Sequence, residues 1–226
     1  MIVSDNTSKD AINNQIAHLF ASRSGQTLQW YIADDTKNGS AITDNSTLQI
    51  INLLHSGKTH GRLRRIPLVI GMPIMITTNI NVQGGIVNGS IGTIHSICYK
   101  ALPNGECSLS HCIVHLPNAT APALPHLLAH EYPIMLESMY ITYRGSRRDS
   151  LGISFKRMQI PLIPAFAMTA HKLQGQTLNK AIIDLDLCHG PEAPYVMVSH
   201  VCSINDLLIL QPFDFNKVRC HLSQDL

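Results

Sequence analysis

The residues best suited to chemistry stand together at 171 to 177, in the run AFAMTAHKLQGQTL. An apolar stretch that reads as a buried strand passes directly into His171, Lys172, Gln174, Gly175, Gln176 and Thr177. A turn alone requires little more than a glycine and a small polar residue, and this one adds a cation, a histidine and two amides. In α/β proteins ligands bind beyond the carboxyl ends of strands. A strand end leading into a short helix also presents backbone N–H groups without internal partners, a setting that favours phosphate. Lys172 supplies charge there, Gln174 and Gln176 can donate to sugar or phosphate, and Gly175 lets a ligand approach the backbone.

Other clusters invite different chemistry and carry it less well. CSLSHCIVH brings Cys107, His111, Cys112 and His115 close in sequence, but positions 112 and 115 of a strand point to opposite faces and do not easily share an ion. GGIVNGSIG lacks the Walker lysine and serine and precedes a strand, so Gly85, Gly89 and Gly92 read as turn positions at positive φ. The run YRGSRRDSLGISFKR carries Arg144, Arg147, Arg148, Lys156 and Arg157; it reads as a solvated loop, with contact to phosphate as the alternative. Asp184 and Asp186 follow an apolar strand, where capping of the next turn is the simpler role than holding magnesium. No metal site is expected.

The totals limit the choice of function. With 226 residues, 45% hydrophobic and 14% charged, the chain is globular and can bury a substantial core. A net charge of +2 and 5% aromatic content argue against an extended base-stacking platform, so any contact with DNA must be local and aimed at the backbone. MIVSDNTSKD shows no basic region followed by an apolar run, and IPLVIGMPIMI is too short and too interrupted by proline to span a bilayer. The six cysteines include no CxxC pair. They read as reduced thiols, which points to a nuclear or cytoplasmic setting with no membrane partner.

The elements that must position the cluster follow from periodicity. MIVS reads as a short strand, and Ile12, Ile16, Leu19 and Phe20 form one face of a helix capped by Thr7 or Ser8 and ended near Gly25. TLQWYIA predicts a second strand, and STLQIINLLHSG a second helix capped by Ser46 and stopped by Gly57. This alternation through the first 60 residues suits a parallel sheet. PLVIGMPIMITTN is strand-like, and two β-prone runs flank Asn104-Gly105, a strong hairpin signal. From residue 160 onward α/β character returns with strand PAFAMT, the polar cluster, strand AIIDL, helix APYVMVSHV, strand LLIL and a short terminal helix.

Four segments, in order, resemble a known family. AFAMTAHKLQGQTL is similar to motif V of superfamily 1B DNA helicases of the Pif and RecD type, above all those carried by helitron transposons. IVSDNTSKDAINNQIAHLF resembles the segment around motif IV that opens the second RecA-like domain. LVIGMPIMITTNINVQGGIVNGSIGTI resembles the stretch that leads into an inserted β-barrel, and YVMVSHVCSINDLLIL resembles motif VI. The resemblance implies an α/β fold: the second, P-loop NTPase-type RecA-like domain of a helicase, with a parallel sheet interrupted by a small antiparallel β-barrel. Residues 1–66 and 159–226 would form the RecA-like part and 67–158 the barrel.

The resemblance also implies roles. His171, Lys172, Gln176 and Thr177, joined by Arg144, Arg147 and Arg148, would contact DNA, while Gln174, Gly175 and position 200 would line the ATP cleft. Two departures matter. No GxxxxGK[ST] occurs in the sequence, and the motif VI arginine is His200, with Cys202 at the next basic position. The expectation is therefore the C-terminal portion of an ATP-dependent DNA helicase acting 5′ to 3′, using ATP and Mg only with a first RecA-like domain and binding single-stranded DNA weakly. Alternatives are that His200 only packs on its helix while another arginine, such as Arg65, serves, or that the chain is a non-enzymatic binding module for single-stranded DNA or protein, or a transposon remnant.

Overall fold

The computed structural model describes residues 1–144, 152–173, 175–188, 190 and 192–219. Gln174, Arg147 and Arg148, singled out above, lie outside the described residues. In chain order the elements are β1 (Ile2–Val3), α1 (Asn6–Arg23), β2 (Gln29–Ile32), β3 (Asp34–Lys37), β4 (Ser40–Ala41), α2 (Asn45–Asn52), β5 (Arg65–Leu68) and β6 (Pro73–Ile76). Then follow β7 (Ile91–Ala101), β8 (Cys107–His115), β9 (Glu131–Met135), β10 (Glu137–Tyr143), β11 (Ile153–Gln159) and β12 (Leu162–Pro164). The last are β13 (Met168–Thr169), β14 (Ala181–Ile183), α3 (Ala193–Ser199), β15 (Leu207–Ile209) and α4 (Asn216–Arg219).

Two compact units result, Met1–Asn13 with Phe166–Leu226, and Asn14–Ala165. The first holds a parallel sheet in the order β13-β1-β14-β15. Its central strand β1 is fully buried, and both neighbours come from the far end of the sequence. A parallel arrangement requires long crossovers between neighbouring strands, and the second unit forms the largest of them.

The second unit is β-rich. A seven-stranded mixed sheet runs β12-β6-β7-β8-β2-β5, with β9 paired to β8, and an antiparallel sheet runs β10-β11-β3-β4. The Asn104-Gly105 signal forms the β7–β8 hairpin as the sequence predicts, with Gly105 at φ 80. Gly85 and Gly89 take the positive φ expected of them, but Gly92 does not. Gly92 is needed for space instead, because a Cβ there would lie 2.2 Å from the His115 carbonyl oxygen on the paired strand.

The early chain departs from strand–helix alternation. β2 pairs antiparallel with β5, and β3 forms a hairpin with β4, so of the early strands only β1 enters the parallel sheet. The cause is the turn at Asn38 and Gly39, with φ of 52 and 82, which folds the chain back after Lys37 in place of a crossover helix. Residues 14–66 thus belong by contact with the β-rich unit. PLVIGMPIMITTN is likewise two strands, parted by a turn at Gly71, and PAFAMT divides between β12 and β13.

Capping also shifts from the predicted residues. Asp5 accepts from the N–H groups of Thr7 and Ser8 at 2.8 and 2.9 Å, so it caps α1 in place of either of them. Asp44 caps α2 in place of Ser46, and hydrogen bonds from Ser46 and Thr47 hold its carboxyl down to about 2. In α1 the buried stripe is Lys9, Asn13, Ala17 and Ala21, whereas Leu19 of the predicted apolar face is exposed. Asn13 donates to the Ala167 carbonyl at 3.0 Å and accepts from the Ala167 N–H at 2.7 Å, fixing the backbone just before β13.

In the second unit Arg157 is completely buried on β11. Its guanidinium donates to both Asp35 oxygens at 2.6 and 2.8 Å and to the Arg62 carbonyl at 2.9 Å. Arg64 adds a contact to Asp35 at 3.1 Å, and Arg62 meets Glu137 at 2.6 Å. Arg157, which the sequence places in a solvated loop with phosphate contact as the alternative, is a buried ion-pair member on a strand instead.

Breaking this buried pair leaves the Asp35 carboxylate with only its Arg64 contact, so Arg157→Ala should cost about 3 kcal/mol in chemical denaturation. Exposed Lys100→Ala should stay within about 0.5 kcal/mol. Asn13→Leu leaves both Ala167 backbone groups without partners and should cost about 1–3 kcal/mol for each. An Asn13→Leu chain that melts like the unaltered one would refute the bridging role.

Candidate nucleic-acid interface

The polar cluster lies wholly in the first unit. β13 ends at Thr169, and Ala170–Leu173 form one 3-10 turn that buries Leu173 and leaves His171 and Lys172 exposed. The Gln176 N–H donates to the Leu173 carbonyl at 2.7 Å and closes the loop. Gly175 sits at φ 80 with open space where a Cβ would be. Its glycine is therefore set by backbone conformation, and the space leaves the peptide accessible to a ligand. Thr177 is exposed and Gln176 half-buried.

His200 holds this loop from behind. It caps the C-terminus of α3 and is 6% exposed. Its Nδ1 lies 3.1 Å from the Gln176 carbonyl oxygen and its Nε2 3.2 Å from that of Ala170. The backbone continues the junction: the Leu178 N–H donates to the His200 carbonyl at 2.7 Å, and Leu178 and Val201 form a parallel bridge. The sequence assigned His200 to the cleft by position alone and gave no sign of these contacts.

A second cation belongs to the same unit and was missed. Lys9 in the first turn of α1 is buried, bonded to Asn6 Oδ1 at 2.8 Å and 3.4 Å from Asp10. Burial pushes its ammonium below the ordinary lysine value; Asp10 opposes the shift and the positive charge of Lys172 adds to it. A buried lysine inside a helix pattern of Asn and Asp gives no periodic signal, so only the fold relates it to Lys172.

The remaining sequence candidates separate. Arg144 is exposed just after β10, and Lys156 is half-buried on β11 in register with Tyr140 and Thr36, all in the second unit. Arg65 packs its guanidinium 5.8 Å from the Trp30 ring centroid, also in the second unit. Asp184 accepts from the Asp186 N–H at 3.0 Å and from Gln211 at 3.1 Å, the turn-capping role expected of it. Cys112 is buried while His115, three residues on, is half-buried, and burial pushes the Cys112 thiol up to about 12, away from the thiolate that zinc requires. Among the described residues no cluster of His, Cys, Asp or Glu is arranged to hold a metal ion, and no helix is long and apolar enough to cross a membrane.

Comparison with known proteins gives this geometry a context. No protein-family model matches the chain. The ATP-dependent DNA helicase PIF7 of Trypanosoma brucei brucei is 28% identical over 163 residues, covering 66% of this chain and 16% of that protein. The human ATP-dependent DNA helicase PIF1 is 28% identical over 155 residues, covering 69% and 20%. The crystal structure of Pif1 helicase from Candida albicans superposes with a TM-score of 0.61 at 20% identity, covering 98% of this chain and 47% of that one. A Pif1 helicase from Bacteroides in complex with ADP-AlF3 and single-stranded DNA gives 0.59 at 17% identity, covering 96% and 41%. These structures share the fold: a parallel RecA-like sheet joined to a nearly closed mixed β-sheet. By sequence the chain is similar to the Pif1-family ATP-dependent DNA helicases, and it spans about a fifth or less of the length of these two relatives.

Proposed function

We propose that the chain is the C-terminal portion of an ATP-dependent DNA helicase, and that its 170–178 loop lies against the phosphates of a single strand. The observation that carries this reading is the polar strand end itself, with exposed Lys172, Lys9 in its field, and an open, unobstructed peptide at Gly175. His171, Gln176 and Thr177 would supply neutral hydrogen bonds to the backbone, without reading base sequence. The relatives named as DNA helicases, and the related fold solved with single-stranded DNA, support this reading.

In the complete enzyme, Gln174 and Gly175 would face the nucleotide, and His200, with both ring nitrogens on loop carbonyls, would act on that cleft through the loop. Phosphoryl transfer needs a phosphate-cradling loop with its lysine and a bound magnesium ion, and this sequence holds no GxxxxGK[ST]. ATP and Mg would therefore act only when a first RecA-like domain supplies those groups. The DNA-contacting cations of this chain are few, so binding to single strands by itself would be weak and salt-sensitive.

Two measurements test the proposal. Lys172→Ala should weaken single-strand binding to a similar degree for all base sequences, and should reduce the slope of log K against log salt by about 0.7. Undiminished binding at low salt would remove the loop from the interface. The purified 226-residue chain should show no DNA-stimulated ATP hydrolysis; turnover by the chain alone would overturn the partial-enzyme reading.

A further inference from the structure

The sequence holds three Asn-Gly pairs, at 38–39, 88–89 and 104–105, and the first two share the tripeptide Asn-Gly-Ser. Asparagine followed by glycine carries a reaction of its own. The glycine amide nitrogen can close on the asparagine side-chain carbonyl, because glycine has no Cβ to obstruct the approach. Identical tripeptides have the same intrinsic reactivity, so any difference between Asn38 and Asn88 comes from the fold.

The fold treats the three pairs differently. The Gly89 N–H donates to the Ile76 carbonyl at 2.8 Å, and that of Gly105 to the Leu102 carbonyl at 2.9 Å. Asn104 is held as well: its Nδ2 donates to Glu106 Oε2 at 2.8 Å, and its Oδ1 accepts from the Glu106 N–H at 3.1 Å. Asn38 and Gly39 instead make up the whole of a two-residue loop between β3 and β4, with Lys37 and Ser40 as the closing pair. The closing bonds of such a loop belong to the flanking pair, which leaves the amide of the second loop residue facing outward. Asn38 and Gly39 are both exposed, and a Cβ added at Gly39 would meet nothing within 4 Å among the described residues.

We propose that Asn38 is a self-modification site of this chain. The Gly39 nitrogen gives up its proton to solvent and attacks Asn38 Cγ. A bond forms between them, the Cγ–Nδ2 bond breaks, and the side-chain nitrogen leaves as ammonia. Water then opens the resulting five-membered imide. Cleavage at Cγ gives aspartate, and cleavage at the former backbone carbonyl gives isoaspartate, whose main chain runs through Cβ. Water is the only co-reactant, and no atom is oxidised or reduced. Either product adds one negative charge to a chain of formal net charge +2. The new carboxylate stands in the lining of a cavity of about 470 Å³ that Lys37 and Lys156 also line. This chemistry is independent of the DNA-binding reading above.

The experiment ages the folded full chain in mildly alkaline buffer and, in parallel, the same chain in guanidinium chloride. Peptide mapping by mass spectrometry follows amide-to-acid conversion at each Asn-Gly pair, and an isoaspartyl methyltransferase assay detects the rearranged product. In the folded chain Asn38 should convert at least ~10-fold faster than Asn88 or Asn104, the scale of the hydrogen bond that each of those glycine amides must first break. In denaturant Asn38 and Asn88 should convert at the same rate. Ammonia should appear in step with acid at position 38, with isoaspartate among the products. An Asn38 that converts no faster than Asn88 in the folded chain would overturn the proposal. So would a faster Asn38 in denaturant, which would place the preference in the local sequence. Aspartate without isoaspartate would overturn it too, because it would mean direct hydrolysis with no imide.

Discussion

A buried guanidinium sets the terms for the β-rich unit. Arg157 is removed from water with all its charge, and in a low-dielectric interior such a group survives only when paired and hydrogen-bonded throughout. Asp35 on β3 and the carbonyl of Arg62 meet that demand, which ties β11 to β3 and to the chain just ahead of β5. Arg64 on the same carboxylate and Glu137 on Arg62 extend the network toward β10. The small apolar cluster of Ile51, Leu54, Ile141 and Phe155 then packs against strands whose register is already fixed. Apolar contact alone tolerates a slip along a strand, whereas a bidentate ion pair does not.

The first unit obeys the same logic with uncharged groups. The strand that leads to the polar loop is only Met168–Thr169 in length, too short to hold itself by ladder bonds. Asn13 holds the backbone before it from one side, and β1 pairs along it from the other. Beyond it the loop closes on itself through Gln176 and Leu173 and leans on His200. Exposed functional side chains thus rest on buried amide and imidazole contacts, so the loop can be open to solvent yet fixed in shape.

Much of this was legible in the sequence for physical reasons. The polar cluster, the turn-capping role of Asp184 and the hairpin at Asn104-Gly105 depend on local chemistry, which neighbouring residues specify directly. The same Asn-Gly signal at 38–39 conflicts with the strand–helix alternation that the early chain suggests, and the turn wins, folding β3 onto β4. Hydrophobic periodicity points to Ile12, Ile16, Leu19 and Phe20 in α1, whereas the buried face is Lys9, Asn13, Ala17 and Ala21.

By itself the sequence determined the loop chemistry, the hairpin turn, and the resemblance to helicase motifs V and VI. Each lies within a short stretch, where spacing along the chain is also spacing in space. Tertiary structure decided which cations are buried in the fold and which are exposed. Arg157 and Lys172 are both cations in polar surroundings by sequence, yet one is sealed against Asp35 and the other stands in solvent. It also decided that His200 faces two carbonyls from residues 30 and 24 positions away. Such contacts arise from long-range closure of the parallel sheet, and no local pattern encodes them.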